Sequence, residues 1–117
     1  MIPILAFDIE TVPDCAGIRK LYDLPADLPD GDVAELAFQK RRVQTGGSDF
    51  LPPHLQRVLV ISCLLRQDDE VWIFSIGEPE VNEAGAIQRF FDGLAKYTPQ
   101  IVSWNGGGFD LPVLHYR

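Results

Sequence analysis

At 117 residues, with 46% hydrophobic and 23% charged side chains, the chain is long enough for one domain with its own core and too short for two. Its net charge of −7, from 17 acidic and 10 basic residues, argues against binding nucleic acid by phosphate neutralisation alone, but not against an enzyme that meets phosphates through bound metal ions. Cys15 and Cys63 form no C-x-x-C pair and lie in no His/Cys cluster, which speaks against a zinc site or a disulfide scaffold; two reduced thiols are expected, with Cys63 buried in a strand.

The apolar run of residues 2–7 reads as a buried first strand ending at about residue 10. No Lys or Arg precedes it and Asp8 interrupts it, so it does not read as a secretory leader, and a soluble cytoplasmic protein is expected. Asp8 and Glu10 are two residues apart. On a strand they share a face, with Cα atoms roughly 6.5–7 Å apart. Like charges at the end of a core strand are costly unless a cation neutralises them, and carboxylate oxygens suit Mg²⁺ or Mn²⁺.

Residues 14–56 read as an irregular insertion, punctuated by Pro25, Pro29, Pro52 and Pro53 and loosened by Gly46 and Gly47. Within it, residues 32–42 fit one short helix, with Asp32 and Glu35 as a capping box and Val33, Leu36 and Ala37 on one face. Lys40-Arg41-Arg42 is the one basic run and reads as a solvated helix end.

Residues 57–66 and 70–76 then form strands joined by turn residues Gln67-Asp68-Asp69, an antiparallel hairpin. Residues 82–97 read as an amphipathic helix with Asn82 as N-cap and an apolar stripe of Ile87, Phe90, Phe91, Leu94 and Ala95. Residues 101–104 give a fourth strand. Gly106-Gly107-Gly108 makes a turn that fits neither G-x-G-x-x-G nor the P-loop pattern, and a last helix starts near Asp110 with Pro112 in its first turn. The longest apolar stretch, residues 58–65, is too short to span a bilayer, so no membrane partner is expected.

The helix at 82–97 can act as a right-handed crossover that lays the fourth strand parallel to the first. In open α/β sheets, sites form beyond the carboxyl ends of such strands. Asp8 and Glu10 end the first strand, while Asn105 and Asp110 follow the fourth. If the two strands are neighbours, three carboxylates and a carboxamide converge. Such oxygen clusters hold two divalent ions about 3.5–4 Å apart and catalyse in-line phosphoryl displacement. For Asp110 a plain role as helix cap stands beside this reading.

Phe7-Asp8-Ile9-Glu10-Thr11 resembles the first motif of the DEDD 3'–5' exonucleases, and Ser103-Trp104-Asn105-Gly106-Gly107-Gly108-Phe109-Asp110 resembles the second, in the Asn-x-x-x-Phe-Asp form of family B DNA polymerase proofreading domains. The resemblance is strongest to stand-alone predicted exonucleases related to those domains. It implies an α/β, ribonuclease H-like mixed sheet, an antiparallel hairpin plus parallel strands flanked by helices. It implies a 3'–5' exonuclease acting on the 3' end of DNA, or of RNA, through two divalent cations, Mg²⁺ or Mn²⁺. Asp8 would bridge both ions, Glu10 would bind one and Asp110 would complete the site; Thr11 and Asn105 would position the strand's 3' end, and Phe109 would pack beside the terminal nucleotide or in the core.

The third motif of the family, Tyr or His followed four residues later by Asp, is not found: Tyr22 leads to Ala26, His54 to Val58 and Tyr97 to Ile101, and no acid follows Asp110. Residues 1–117 therefore read as the N-terminal part of one exonuclease domain, C-terminally incomplete and inactive by itself. The alternative is a non-catalytic nucleic-acid-binding module that keeps the fold. Apolar surface on the fourth strand's outer edge would favour self-association.

Overall fold

The computed structural model describes residues 2–103 and 106–117. These residues fall into two compact units, residues up to 11 with 58–117, and residues 12–57.

In the first unit, strand β1 (Ile4–Pro13) alternates as the sequence predicts, burying Leu5, Phe7 and Ile9 and exposing Asp8 and Glu10. Strands β2 (Gln56–Gln67) and β3 (Glu70–Gly77) pair antiparallel from Gln67↔Glu70 to Val60↔Gly77. The turn between them is two residues long, and Asp68 takes the left-handed conformation at φ 54°, which Asp tolerates better than most residues. Strand β4 (Gln100–Val102) pairs parallel to β1, with Ile4↔Gln100, Leu5↔Ile101 and Ala6↔Val102. The sheet order is β3-β2-β1-β4, a mixed α/β sheet of the ribonuclease H-like kind. One sheet face, carrying Leu5, Phe7, Ile9, Ile61, Cys63 and Leu65, packs with Phe90, Val113 and Leu114 into a single core; the Phe7 and Phe90 rings lie 4.9 Å apart. Burial pushes the Cys63 thiol up to about 11, so it stays a neutral core group.

The crossover before β4 contains a helix at Glu83–Tyr97. Asn82 caps it as predicted, its side chain accepting from the Gly85 N–H at 2.8 Å. The buried stripe is rotated from the predicted one: Ala86 and Phe90 are buried, Ile87, Leu94 and Tyr97 pack against the core, and Phe91 and Ala95 face outward. Glu83, the first residue of this helix, accepts from the Val58 N–H at 2.6 Å and from Arg117 at 2.9 and 2.7 Å, with both side chains mostly shielded from water. Glu83→Ala removes the acceptor shared by the Val58 N–H and the Arg117 guanidinium, and is expected to cost about 2–3 kcal/mol in urea unfolding. A loss under roughly 0.5 kcal/mol, the size of an ordinary surface change, would refute this role.

The second unit is more regular than its prolines and glycines suggest. It contains helices Cys15–Tyr22 and Asp30–Thr45 and a 3₁₀ turn at Pro53–Leu55, packed around Ile18, Val33, Ala37, Leu51 and Leu55. In chain order the helices are therefore α1 (Cys15–Tyr22), α2 (Asp30–Thr45) and α3 (Glu83–Tyr97). Asp14 caps α1 through the Gly17 N–H at 3.1 Å. α2 starts two residues before its predicted start, because the Pro29 carbonyl accepts from both Asp32 and Val33 N–H at 3.0 Å; Asp32 thus lies in the first turn and forms no capping box. Gly46, expected to be a loose linker, is the left-handed C-cap of α2 at φ 79°. The basic run is engaged within this unit: Lys40 lies 4.6 Å from the Tyr22 ring centre, Arg41 donates to the Phe50 carbonyl at 2.8 Å, and Arg42 pairs with Glu35 and Asp49 at 3.4 Å.

Candidate active site

The candidate site lies beyond the described pairing of β1 with β4. Among the described residues, the parallel ladder runs from Ile4↔Gln100 to Ala6↔Val102. The chain leaving β4 returns as a π-helical turn, Gly106–Asp110, which runs into the last helix, α4 (Leu111–Tyr116). π turns recur at functional sites because the extra residue re-aims a side chain. Glycine suits position 106, since it is buried and a β-carbon there would run into the Ser103 hydroxyl.

Asp110 is 3% exposed, and its Oδ2 accepts from the Ile9 N–H at 3.3 Å. It makes no capping hydrogen bond to α4. The carboxylate does not serve as the helix cap; it reaches across 101 positions of sequence to β1, at the N–H of Ile9, between Asp8 and Glu10. Val113 and Leu114, buried just after it, anchor the segment in the core.

Burial, and next the charge of Asp8, raise the Asp110 pKa above its ordinary value; the Ile9 N–H and its own backbone N–H oppose that rise, and Glu10 adds to it. The three acids therefore share one electrostatic neighbourhood. Asp8 and Glu10 are exposed, Asp110 is buried, and all their donor atoms are hard oxygens. That donor chemistry fits Mg²⁺ or Mn²⁺, whose charge would relieve the repulsion. Among the described residues, no three acidic, His or Cys side chains are drawn close enough to form a coordination sphere.

Of the remaining predicted residues, Thr11 is half-buried next to Glu10, and Phe109 is half-buried against the core. Asn105, with Trp104 of the predicted fourth strand, lies outside the described residues. Sequence reasoning missed the Ile9 N–H as the anchor of Asp110, because a backbone donor carries no residue signature. His115 stacks edge-on against Tyr116 with ring centres 5.1 Å apart. Among the described residues no helix is long and apolar enough to cross a membrane.

A family described as a predicted 3'-5' exonuclease related to the exonuclease domain of PolB matches residues 48–117, a range that includes Phe109 and Asp110 and leaves out Asp8 and Glu10. DNA polymerase 1 of Sulfurisphaera ohwakuensis is 33% identical over 120 residues, which cover 99% of this chain and 13% of the polymerase. The chain thus spans a small part of the length of the curated relative it matches. No solved structure matches the chain significantly.

Proposed function

The chain belongs to the family of predicted 3'-5' exonucleases related to the exonuclease domain of PolB, and from that premise we propose that it is the metal-binding part of a cytoplasmic 3'–5' exonuclease domain that hydrolyses phosphodiester bonds at the 3' end of DNA. Residues 1–117 are read as the N-terminal part of that domain, with residues 12–57 as an insertion that folds on its own contacts. Asp8, Glu10 and Asp110 would hold the divalent cations. Bound there, the cations would supply an activated water and neutralise charge at the scissile phosphate.

The observation that carries this reading is the hydrogen bond from Ile9 to Asp110. A carboxylate buried at 3% exposure is expensive, and its hydrogen-bond partner sits between two more acids. A merely structural Asp110 would be better replaced by Asn, which accepts the same hydrogen bond without charge. In its free state Asp110 holds its proton more tightly than an ordinary Asp, and it must release that proton to ligate a cation. Thr11 lies on the strand next to Glu10, and Phe109 and Asn105 precede Asp110, so all three are suited to positioning the strand's terminal nucleotide.

The chain by itself is read as inactive, so the test is cleavage of 3'-labelled single-stranded DNA in Mn²⁺ or Mg²⁺ by a longer protein that carries the chain together with a Tyr/His-x-x-x-Asp motif, comparing the wild type with Asp8→Ala. Losing a ligand that serves the cations removes several kcal/mol of transition-state stabilisation, so the rate is expected to fall by roughly a hundredfold to ten-thousandfold. Unchanged cleavage by Asp8→Ala would sink the assignment. Metal-dependent binding of that longer wild-type protein to DNA without product would favour the non-catalytic binding module.

A further inference from the structure

The outer edge of the sheet at β3 carries a feature that the exonuclease reading does not use. β3 ends the order β3-β2-β1-β4, so among the described residues it has a strand partner on one side only. Its interior from Val71 to Ile76 has no charged residue, no proline and no bulge, the devices that normally protect an edge. Val71, Trp72, Ile73 and Phe74 are all exposed, Ile73 at 81%. The Glu78 N–H bonds to the Leu59 carbonyl at 3.1 Å, in register with the ladder. Even-numbered residues of β3 therefore bond to β2, while Val71, Ile73 and Ser75 turn their N–H and C=O outward.

Two adjoining recesses line this edge. One is formed by Leu65, Trp72, Phe74 and Tyr97, with Gln67 at its rim, and is apolar and aromatic. The other is formed by Gln67, Asp68, Asp69 and Glu70 with the same Trp72. Three carboxylates and an indole face suit a lysine or arginine, which gains ion pairing and a cation–π contact. No Lys or Arg occurs from residue 67 to residue 88, while Asp68, Asp69, Glu70 and Glu80 flank the strand. Arg66, opposite Val71 on β2, is the cation nearest in register.

We propose that the β3 edge is a docking site for an extended peptide segment of a partner protein, which adds as a fifth strand and places an apolar side chain in the aromatic recess and a basic side chain, two positions away, in the acidic one. The spacing follows from strand geometry, since residues i and i+2 share a face and stand about 7 Å apart. Backbone bonding to Val71, Ile73 and Ser75 supplies affinity, and the two recesses supply selection, the usual division in strand addition. A second copy of the chain is a poorer occupant, because it brings its own acidic turn and a net charge of −7.

The test uses capped peptides of alternating threonine and valine that carry one leucine and, two positions away, one arginine, in both orders, titrated by calorimetry. Control peptides have glutamate in place of the arginine. The arginine peptide in one order is expected to bind at least tenfold more tightly than its control, and to weaken as salt is added. Ile73→Pro removes an outward N–H without touching the ladder to β2, and is expected to abolish binding while the circular dichroism spectrum stays unchanged. As a second variant, Asp68→Asn with Asp69→Asn and Glu70→Gln is expected to bring the arginine peptide down to its control. The proposal is overturned if no arginine peptide binds, if both peptides bind alike, if Ile73→Pro binds like wild type, or if sedimentation shows self-association that Ile73→Pro removes.

Discussion

Asp110→Asn is expected to make the protein more stable at neutral pH and, at the same time, to remove its response to divalent cations. The Asp110 carboxyl is buried, and its folded-state pKa is raised above 3.8, first by that burial and then by the charge of Asp8. Below the unfolded value the group is protonated in both states and contributes nothing. As pH rises, the unfolded chain gives up this proton first, so the folded state binds more protons and stability falls through the window between the two pKa values. Above the folded value the full penalty remains. An asparagine carries no such penalty and keeps an oxygen for the Ile9 N–H, so the variant's advantage should be absent at strongly acidic pH and present at neutral pH. On the proposed role of Asp110 as a cation ligand, cations would reverse the comparison. At a concentration a hundred times the dissociation constant, binding stabilises the wild type by roughly 2.7 kcal/mol, and the Asp110→Asn variant should gain little. Thermal melts across pH, with and without MgCl₂ or MnCl₂, read both effects. A variant whose stability tracks the wild type at every pH, or one that gains as much from cations, would show that Asp110 is an ordinary buried acid.

Strands and the direction of their side chains are legible in the sequence because both rest on local rules. The alternation of Leu5, Phe7 and Ile9 against Asp8 and Glu10 predicts which side chains point inward, and the structure buries the first three and exposes the last two. Gln67-Asp68-Asp69 predicts the hairpin, and Asn82 the cap of α3. Less legible are features settled by tertiary contact. α1 is hidden by its brevity, eight residues that are marginal as a helix until Ile18 is buried against Val33 and Ala37. A stripe on α3 that includes Phe91 and Ala95 satisfies the helical spacing, yet the sheet takes Ala86 and Phe90, because flanking residues on a helix compete for the buried face and only the partner surface decides. Asp110 shows the same limit at the site. Its position before Pro112 suits a cap as well as a ligand, and a hydrogen bond spanning 101 residues takes the carboxylate away from the cap.

Gly77→Ala is expected to be among the most destabilising single-methyl changes in this chain. Gly77 closes β3 opposite Val60 at φ 154°, a conformation that residues with a β-carbon rarely adopt. The conformation alone costs an alanine about 1–3 kcal/mol. Sterics add to this, because the new β-carbon would collide with the Leu59 carbonyl oxygen and crowd the Val60 Cα at 2.9 Å. Both are backbone atoms, which cannot swing aside as a side chain would. Relief requires β3 to move away from β2 where the Glu78 N–H bonds to the Leu59 carbonyl, so that bond weakens as well. A total of roughly 3–4 kcal/mol, a large share of the 5–15 kcal/mol typical of a domain, is expected from urea denaturation. Gly107→Ala is the matched control, since nothing lies within 4 Å of its added β-carbon. Equal losses for the two alanines would mean that the left-handed conformation of Gly77 and its close approach to β2 do not limit stability.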